Sequence, residues 1–277
     1  MKQKAGVSEL LRAYGTIFAG ILIVIVFSVM RPDAFFTMGN LVNITRQISL
    51  LVIIALGATL VMSVEEFDLS VGALASLGGV IGAKMAVAGA PIFLCFIAPV
   101  VICFAIGFVN GWIVTKFRVL SFITTLAMST ILGGFTFWFT GGATVFQDIP
   151  KSFTYVGTKT VLGAPILSII MLLLTVVFWF VMRHTAFGRK LYAIGGNEAA
   201  SQVSGINVKK YKNLAFALCA SLAALTGVLS RDPRPPYQHD PERVYGLDFA
   251  GVNIRFTVDG DTLTVRAVER MADKQDK

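Results

Sequence analysis

Charge is the scarcest commodity in this chain: 14% of its 277 residues are Asp, Glu, Lys or Arg, against 55% hydrophobic. Soluble domains carry roughly a quarter charged residues, so the deficit excludes an ordinary globular fold for most of the chain. Histidine occurs twice, as His184 and His239, and neither has a partner at metal-ligand spacing, so no metal centre is expected. The three cysteines, Cys95, Cys103 and Cys219, lie inside apolar runs without zinc or redox spacing, and read as small buried hydrophobes. No Gly-Lys-Ser/Thr phosphate loop is present, so the chain has no ATP site of the usual kind, and no cofactor is expected. Gly78-Gly79-Val80-Ile81-Gly82 resembles a dinucleotide fingerprint only superficially, because no strand precedes it and no acidic residue follows at the needed distance. No serine–histidine or paired-aspartate arrangement sits in the apolar runs, which argues against an enzyme.

What the chain has instead is long apolar runs. A membrane helix needs about 20 mostly apolar residues to cross a hydrocarbon core about 30 Å thick. The candidates are Ala13–Met30, Gln47–Val64, Leu69–Ala88, Pro91–Val114, Leu120–Phe139, Val161–Met182 and Leu214–Leu229. They are continuous rather than alternating, so the expected fold is all-α: a polytopic membrane helix bundle of about seven spans. The first run is followed by Met30-Arg31-Pro32-Asp33, which lacks a small-residue cleavage site, and is expected to stay as an anchor. Small residues cluster in the third run (Gly72-Ala73, Ala75-Ser76, Gly78-Gly79, Gly82-Ala83), where they permit close helix contacts. Trp112, Trp138 and Trp179 lie near span ends, as interfacial anchors do.

The net charge of +8 follows topology rather than marking a nucleic-acid surface. With the N-terminus inside, Lys2, Lys4, Arg12, Lys116, Arg118, Arg183, Arg189, Lys190, Lys209, Lys210 and Lys212 are cytoplasmic, against Arg31, Arg46, Lys84, Lys151 and Lys159 outside. That bias fixes the expected orientation and makes Gly188–Lys212 a cytoplasmic loop. A sharp change comes at Ser230-Arg231-Asp232-Pro233-Arg234-Pro235-Pro236, where prolines stop any helix. Residues 231–277 hold 8 basic and 9 acidic side chains and form a hydrophilic tail, apart from the membrane unit 1–230. Within the tail, Val252–Val258 and Thr262–Val268 alternate about Asp259-Gly260-Asp261, a β-hairpin pattern.

Two polar segments stand out. Asn197 suits the N-cap of a short helix over Glu198–Ser204, Glu198 complements the helix dipole in the first turn, and Gly205 can end it in a left-handed conformation. The residues leave two readings open, a surface linker or a helix that couples to a partner. Asp68 follows Glu65 and Glu66 at a break between two spans. It reads as a cap accepting from the amides of Ser70 or Val71, as a polar group lining a pathway, or as both. Asn43 and Gln47 could also face a cavity; alone, such residues are more often helix–helix partners.

Gly188-Arg189, Leu191–Ala200 (LYAIGGNEAA) and Ser204-Gly205-Ile206 together resemble the cytoplasmic loop of ribose/galactose-type ABC sugar permeases. Phe35-Phe36 with Asn40–Ile44, Asp68-Leu69-Ser70-Val71-Gly72 and Ser121–Leu126 resemble further motifs of that family in the same order, over residues 1 to about 230. Many relatives have Gly-Ile where this chain has Glu66-Phe67, a departure that points to a different substrate. The resemblance implies a permease subunit for a ribose-like sugar in a bacterial inner membrane, without its own ATP site. It implies a separate ABC ATPase subunit, a periplasmic sugar-binding protein and a second permease subunit as partners. It also implies that Asp68, Ser70 and Gly72 line the translocation pathway, and that Asn197, Glu198, Ala199, Ala200 and Gly205 couple to the ATPase. The alternative is a secondary transporter or channel not coupled to an ATPase. Relatives continue past the seventh span with a Gly-rich segment and more helices, so the permease is expected to be incomplete at 230 and to support little uptake. Its tail would then be a frameshift, a fused reading frame or a genuine variant.

Overall fold

The computed structural model describes residues 7–142, 149–161, 163–230, 244–249, 252–259 and 262–270. Lys2, Lys4, the proline-rich joint, His239 and the Gly260-Asp261 turn lie outside the described residues. The chain divides into two compact units, Met1–Arg231 and Asp232–Lys277.

The first unit is helical. Its elements run α1 (Val7–Met30), α2 (Pro32–Phe35), α3 (Met38–Met62), α4 (Val71–Val87), α5 (Ile92–Phe117), α6 (Ser121–Thr140), α7 (Lys151–Thr158), β1 (Thr160–Val161), β2 (Ala164–Pro165), α8 (Ile166–His184), α9 (Ala186–Gly196), α10 (Glu198–Val203) and α11 (Val208–Leu229). Five of these, α3, α5, α6, α8 and α11, are long and apolar enough to cross a membrane, and Tyr14–Met30 and Val71–Val87 are shorter apolar helices. Each of the seven runs expected from the sequence is thus a helix, and the fold is an all-α membrane bundle.

Several boundaries differ from expectation. The second span starts at Met38 rather than Gln47, where Thr37 caps it by accepting from the Asn40 amide at 3.2 Å. The sixth starts at Ile166 rather than Val161, because Thr160–Val161 pairs with Ala164–Pro165 in a two-residue antiparallel ladder, with Gly163 at φ +83° and Pro165 at the cap. The last starts at Val208 rather than Leu214, with Asn207 accepting from the Lys210 amide at 3.0 Å. Lys209, Lys210 and Lys212 are therefore helical, and Gly188–Lys212 is not a loop but the body of α9, all of α10 and the first turn of α11.

α11 is the hub. Most of its length is buried, whereas the other long spans keep a broad face exposed. It packs against α3, α4 and α5 through Ala215, Ala217, Ala220, Ala223, Ala224 and Gly227. Lipid supplies no hydrophobic drive for helices to associate, so close approach of small residues carries the packing. A Cβ on Gly78 of α4 would lie 2.7 Å from Ala224 Cα, and one on Gly107 of α5 2.5 Å from Ala220 Cβ. α6 packs on α4 and α5, α8 packs on α3, and α7 reaches α11, where a Cβ on Gly157 would lie 2.8 Å from Leu229 O. The side chains of α1 from Tyr14 to Met30 are exposed almost throughout.

The second unit is an antiparallel sheet of three strands in the order β3 (Val244–Phe249), β4 (Val252–Asp259), β5 (Thr262–Arg270). β4 and β5 form the expected hairpin, closing on the pair Asp259–Thr262. β3 is an addition to it: it pairs with β4 from Val244–Thr257 to Phe249–Val252.

Candidate functional site

Two clusters of polar side chains lie at one end of the bundle, where the α3–α4 break, the start of α6, the start of α11 and the short helix α10 meet. At the break, Glu65 adopts a left-handed φ of +59° and turns the chain out of α3. Asp68 then caps the turn into α4: the Ser70 amide and hydroxyl both donate to its Oδ1, at 2.8 and 2.5 Å. α6 holds the same segment from the side. Ser121 Oγ accepts from the Phe67 amide at 3.1 Å, and Thr125 Oγ1 accepts from the Leu69 amide at 3.0 Å. From α5, Asn110 Nδ2 donates to Ser70 Oγ at 3.1 Å.

Asn110 is 0% exposed, and its Oδ1 and Asp68 Oδ2 are buried acceptors without a protein hydrogen-bond partner. Burial pushes the Asp68 carboxyl above its usual range, and the two hydrogen bonds from Ser70 oppose that rise. Asp68 and Ser70, singled out in the sequence, are therefore together. Gly72 is exposed in the first turn of α4, and a Cβ there would meet no atom within 4 Å. Asn110, Ser121 and Thr125 completed the cluster unannounced. Ser121 and Thr125 belong to a motif already noted, but nothing in the sequence brought Asn110, 42 positions after Asp68, to this place.

The second cluster is ionic. Lys212, in the first turns of α11 and only 8% exposed, places Nζ 2.6 Å from Glu66 Oε1 and 2.7 Å from Glu198 Oε2. Lys212 is thus not part of a solvated basic loop but the buried centre of a bridge. Glu66, which departs from the Gly-Ile of many relatives, belongs to that bridge rather than standing alone in the break.

α10 is short because it is capped at both ends. Asn197 Oδ1 accepts from the Ala200 amide at 2.9 Å. At the other end the Gly205 amide donates to Gln202 O at 3.1 Å and the Ile206 amide to Ser201 O at 3.0 Å. This is the paired arrangement that ends a helix on a left-handed glycine, and Gly205 has φ +82°. Ala199, Ala200 and Gln202 are exposed, and Val203 is 91% exposed, while Ser201 faces inward. α9 lies against the end of α3 so closely that a Cβ on Gly195 would collide with Ser63 O.

Other singled-out residues fall elsewhere. His184 packs between aromatic rings, its centroid 5.0 Å from Trp179 and 5.2 Å from Phe180. Asn43 and Arg46 sit on α3 near α7, with Arg46 donating to Asn43 Oδ1 at 3.4 Å and to Thr158 O at 2.9 Å. Gln47 is exposed. Among the described residues no group of His, Cys, Asp or Glu is placed to hold a metal ion.

Apolar spans of membrane-crossing length around a small-residue hub are the architecture of a multi-pass membrane protein. Residues 40–231 match the model of the branched-chain amino acid transport system / permease component. The chain belongs to that permease family.

The chain is 42% identical to the ribose import permease protein RbsC of Haemophilus influenzae over 212 residues, which are 76% of this chain and 65% of that protein. It is 38% identical to RbsC of Escherichia coli K12 over 217 residues, 77% of this chain and 67% of that protein. Identity to the D-allose transport system permease protein AlsC of the same strain is 34% over 220 residues, 78% and 67% of the two chains. The chain thus spans about two thirds of the length of these relatives. A second model, the TrmO C-terminal domain, matches residues 196–271, overlapping the end of the first and covering the sheet. No solved structure matches.

Proposed function

We propose that this chain is the membrane subunit of an ATP-binding-cassette importer that carries a ribose-like monosaccharide, with ATP hydrolysed by a separate subunit. The observation that carries the reading is α10. Both ends are capped, and it offers Ala199, Ala200 and Val203 to solvent at the end of the bundle where the span break lies. Solitary exposed apolar residues are ordinary, but a rigid helix presenting three of them is a shape that a partner's groove can hold. The names of the relatives supply the sugar and the import direction.

In this reading the N-terminus and α10 are cytoplasmic, the membrane is a bacterial inner membrane, and a periplasmic sugar-binding protein and a second permease subunit complete the importer. ATP-driven closure of the ATPase pair moves α10, and Asp68, Ser70 and Gly72 at the neighbouring break line the route whose access changes. Asn197 and Gly205 fix the length of α10, Glu198 ties it to the bundle, and Ala199 and Ala200 meet the ATPase. The tail, 231–277, contributes nothing to the route. The match of the TrmO C-terminal domain model favours a coding segment joined to the permease over frameshift noise.

A secondary transporter would need coupling-ion carboxylates at mid-membrane depth. α3, α4, α5, α6, α8 and α11 contain no Asp or Glu. The acidic groups Glu65, Glu66 and Asp68 all lie in the break, which favours the ATP-coupled reading.

The test is capture of an ABC ATPase subunit by the affinity-tagged chain in lipid nanodiscs, using the ATPase of a ribose importer as probe. Retention by the wild type and loss with Ala199→Glu/Ala200→Lys is the expected result. Equal retention by both, or by neither, overturns the role given to α10.

A further inference from the structure

We propose that Lys212 is a positioning residue that locks α10 to the α3–α4 break, so that the two move as one unit; this rests on the coupling role proposed for α10. The ammonium is the shared member of a three-residue bridge. One carboxylate, Glu66, belongs to the break, and the other, Glu198, is the first residue of α10. The two acids are far apart in sequence, and each is 2.6–2.7 Å from the same Nζ.

The chemistry explains why such a bridge transmits motion rather than merely filling space. Lys212 is almost wholly buried on α11, the hub of the bundle. A buried ammonium cannot give up its counter-charges without leaving an uncompensated charge behind. The two carboxylates also cannot approach one another without the cation between them. Displacement of Glu198 therefore either carries Lys212 and Glu66 along or breaks one of the two charge-assisted hydrogen bonds of a buried ammonium, leaving Glu66 as its one counter-charge.

What lies beyond Glu66 is equally constrained. The next residue, Phe67, is tied by its amide to Ser121, Leu69 is tied to Thr125, and Ser70 joins Asp68 to Asn110. A pull on Glu66 is thus delivered to the polar cluster proposed to line the route. A second contact runs beside the first, since the backbone of α9 at Gly195 rests on that of Ser63, the residue that ends α3. Glu198 retains a side chain 57% exposed, so it can be reached from outside the bundle while its other oxygen holds Lys212.

Lysine sits here as a compact ammonium with three donors, two of which are used by the bridge. Arginine keeps the charge, and its fork has donors enough for both carboxylates. Lys212→Arg should therefore preserve the coupling, whereas Lys212→Met should abolish it.

The experiment is hydrogen–deuterium exchange of the full chain in nanodiscs, without any ATPase, read separately on the amides of residues 66–70 and 199–205. Thermodynamic coupling is reciprocal. Glu198→Gln, which alters only α10, should speed exchange at residues 66–70, and Glu66→Gln should speed exchange at residues 199–205, each by at least about fivefold. Lys212→Met should speed both, with little added by either glutamine change in the same chain, and Lys212→Arg should restore protection at both. If each glutamine change acts only on its own segment, the bridge is two independent ion pairs and the proposal is wrong. Should Lys212→Met fail to fold, the two glutamine variants decide alone. Because no ATPase is present, loss of this coupling leaves the ATPase-capture result standing, and failure of capture leaves this result standing.

Discussion

Replacing Gly107 with alanine tests the idea that α11 is held by close approach of small residues. A Cβ at position 107 would lie 2.5 Å from both Ala220 Cβ and Phe216 O, and 3.0 Å from Ala217 Cα. Ordinary contact begins near 3.4 Å, so α5 and α11 must part by about 0.9 Å. None of the three atoms lies at the tip of a flexible side chain, so the strain falls on the helices themselves. A radial gap of about 0.5–1 Å forfeits a quarter to a half of the dispersion attraction at each contact along the seam.

Overpacking of this kind costs about 1–3 kcal/mol. The gain in helix propensity from glycine to alanine returns up to about 1 kcal/mol. With the full propensity gain returned, the net expectation is a destabilisation of up to about 2 kcal/mol. Gly133→Ala in α6 is the control, because a Cβ there meets nothing within 4 Å and only the propensity gain remains. The assay is SDS-induced unfolding of the purified chain in mixed micelles, followed by the fluorescence of Trp112, Trp138 and Trp179. Gly107→Ala should unfold at lower SDS than the wild type and Gly133→Ala at equal or higher SDS. Equal shifts for the two variants would refute packing as the cause.

Asn197→Ala removes the side-chain acceptor for the Ala200 amide and should loosen α10 by about 1 kcal/mol, seen as faster amide exchange over residues 199–203 with α8 unchanged. Asp68 has its pKa raised by burial, so its folded form binds a proton more tightly than the unfolded chain does. Wild-type stability should therefore fall as pH rises from about 3.9 through the raised value, while Asp68→Asn should lose that slope; parallel curves would show the carboxyl to be solvated. A cysteine at the exposed Gln202 should resist an impermeant maleimide in intact cells and react once the membrane is opened; labelling of intact cells would reverse the orientation proposed above. Deleting residues 231–277 should leave membrane insertion and helix content of the first unit unchanged, measured by carbonate extraction and circular dichroism.

The apolar runs were legible because lipid exposure leaves a compositional mark. Helix length did not leave one. Residues 38–46 carry Asn40, Asn43 and Arg46, and residues 208–213 carry three lysines, so both extensions looked polar while continuing a helix. α10 could be read almost to the residue because its signals are local, with Asn197 and Gly205 each acting within a few positions. Lys212 could not. Nothing in the chain says which of three nearby lysines turns inward, and one partner, Glu66, lies 146 positions earlier. β3 was hidden for a different reason: Gly246 and Asp248 interrupt its run, and only pairing with β4 makes it a strand.

The position of α11 has a consequence for how the bundle is made. The helices that surround it, α3, α4 and α5, are complete by Phe117, but the hub begins only at Val208, 91 residues later. At about 5–20 residues per second, the ribosome needs roughly 5–20 s to cover that interval. For that time Gly78, Gly107 and Gly111 face lipid or one another across a gap with no helix in it, and Glu66 waits without its lysine. α3 packs on α11 rather than on α4 or α5, so its place in the bundle waits for the last of the four helices to be made. Any factor that shields small-residue grooves in newly inserted helices therefore has a defined window in which to act on this protein, and a defined event, the arrival of α11, that ends it.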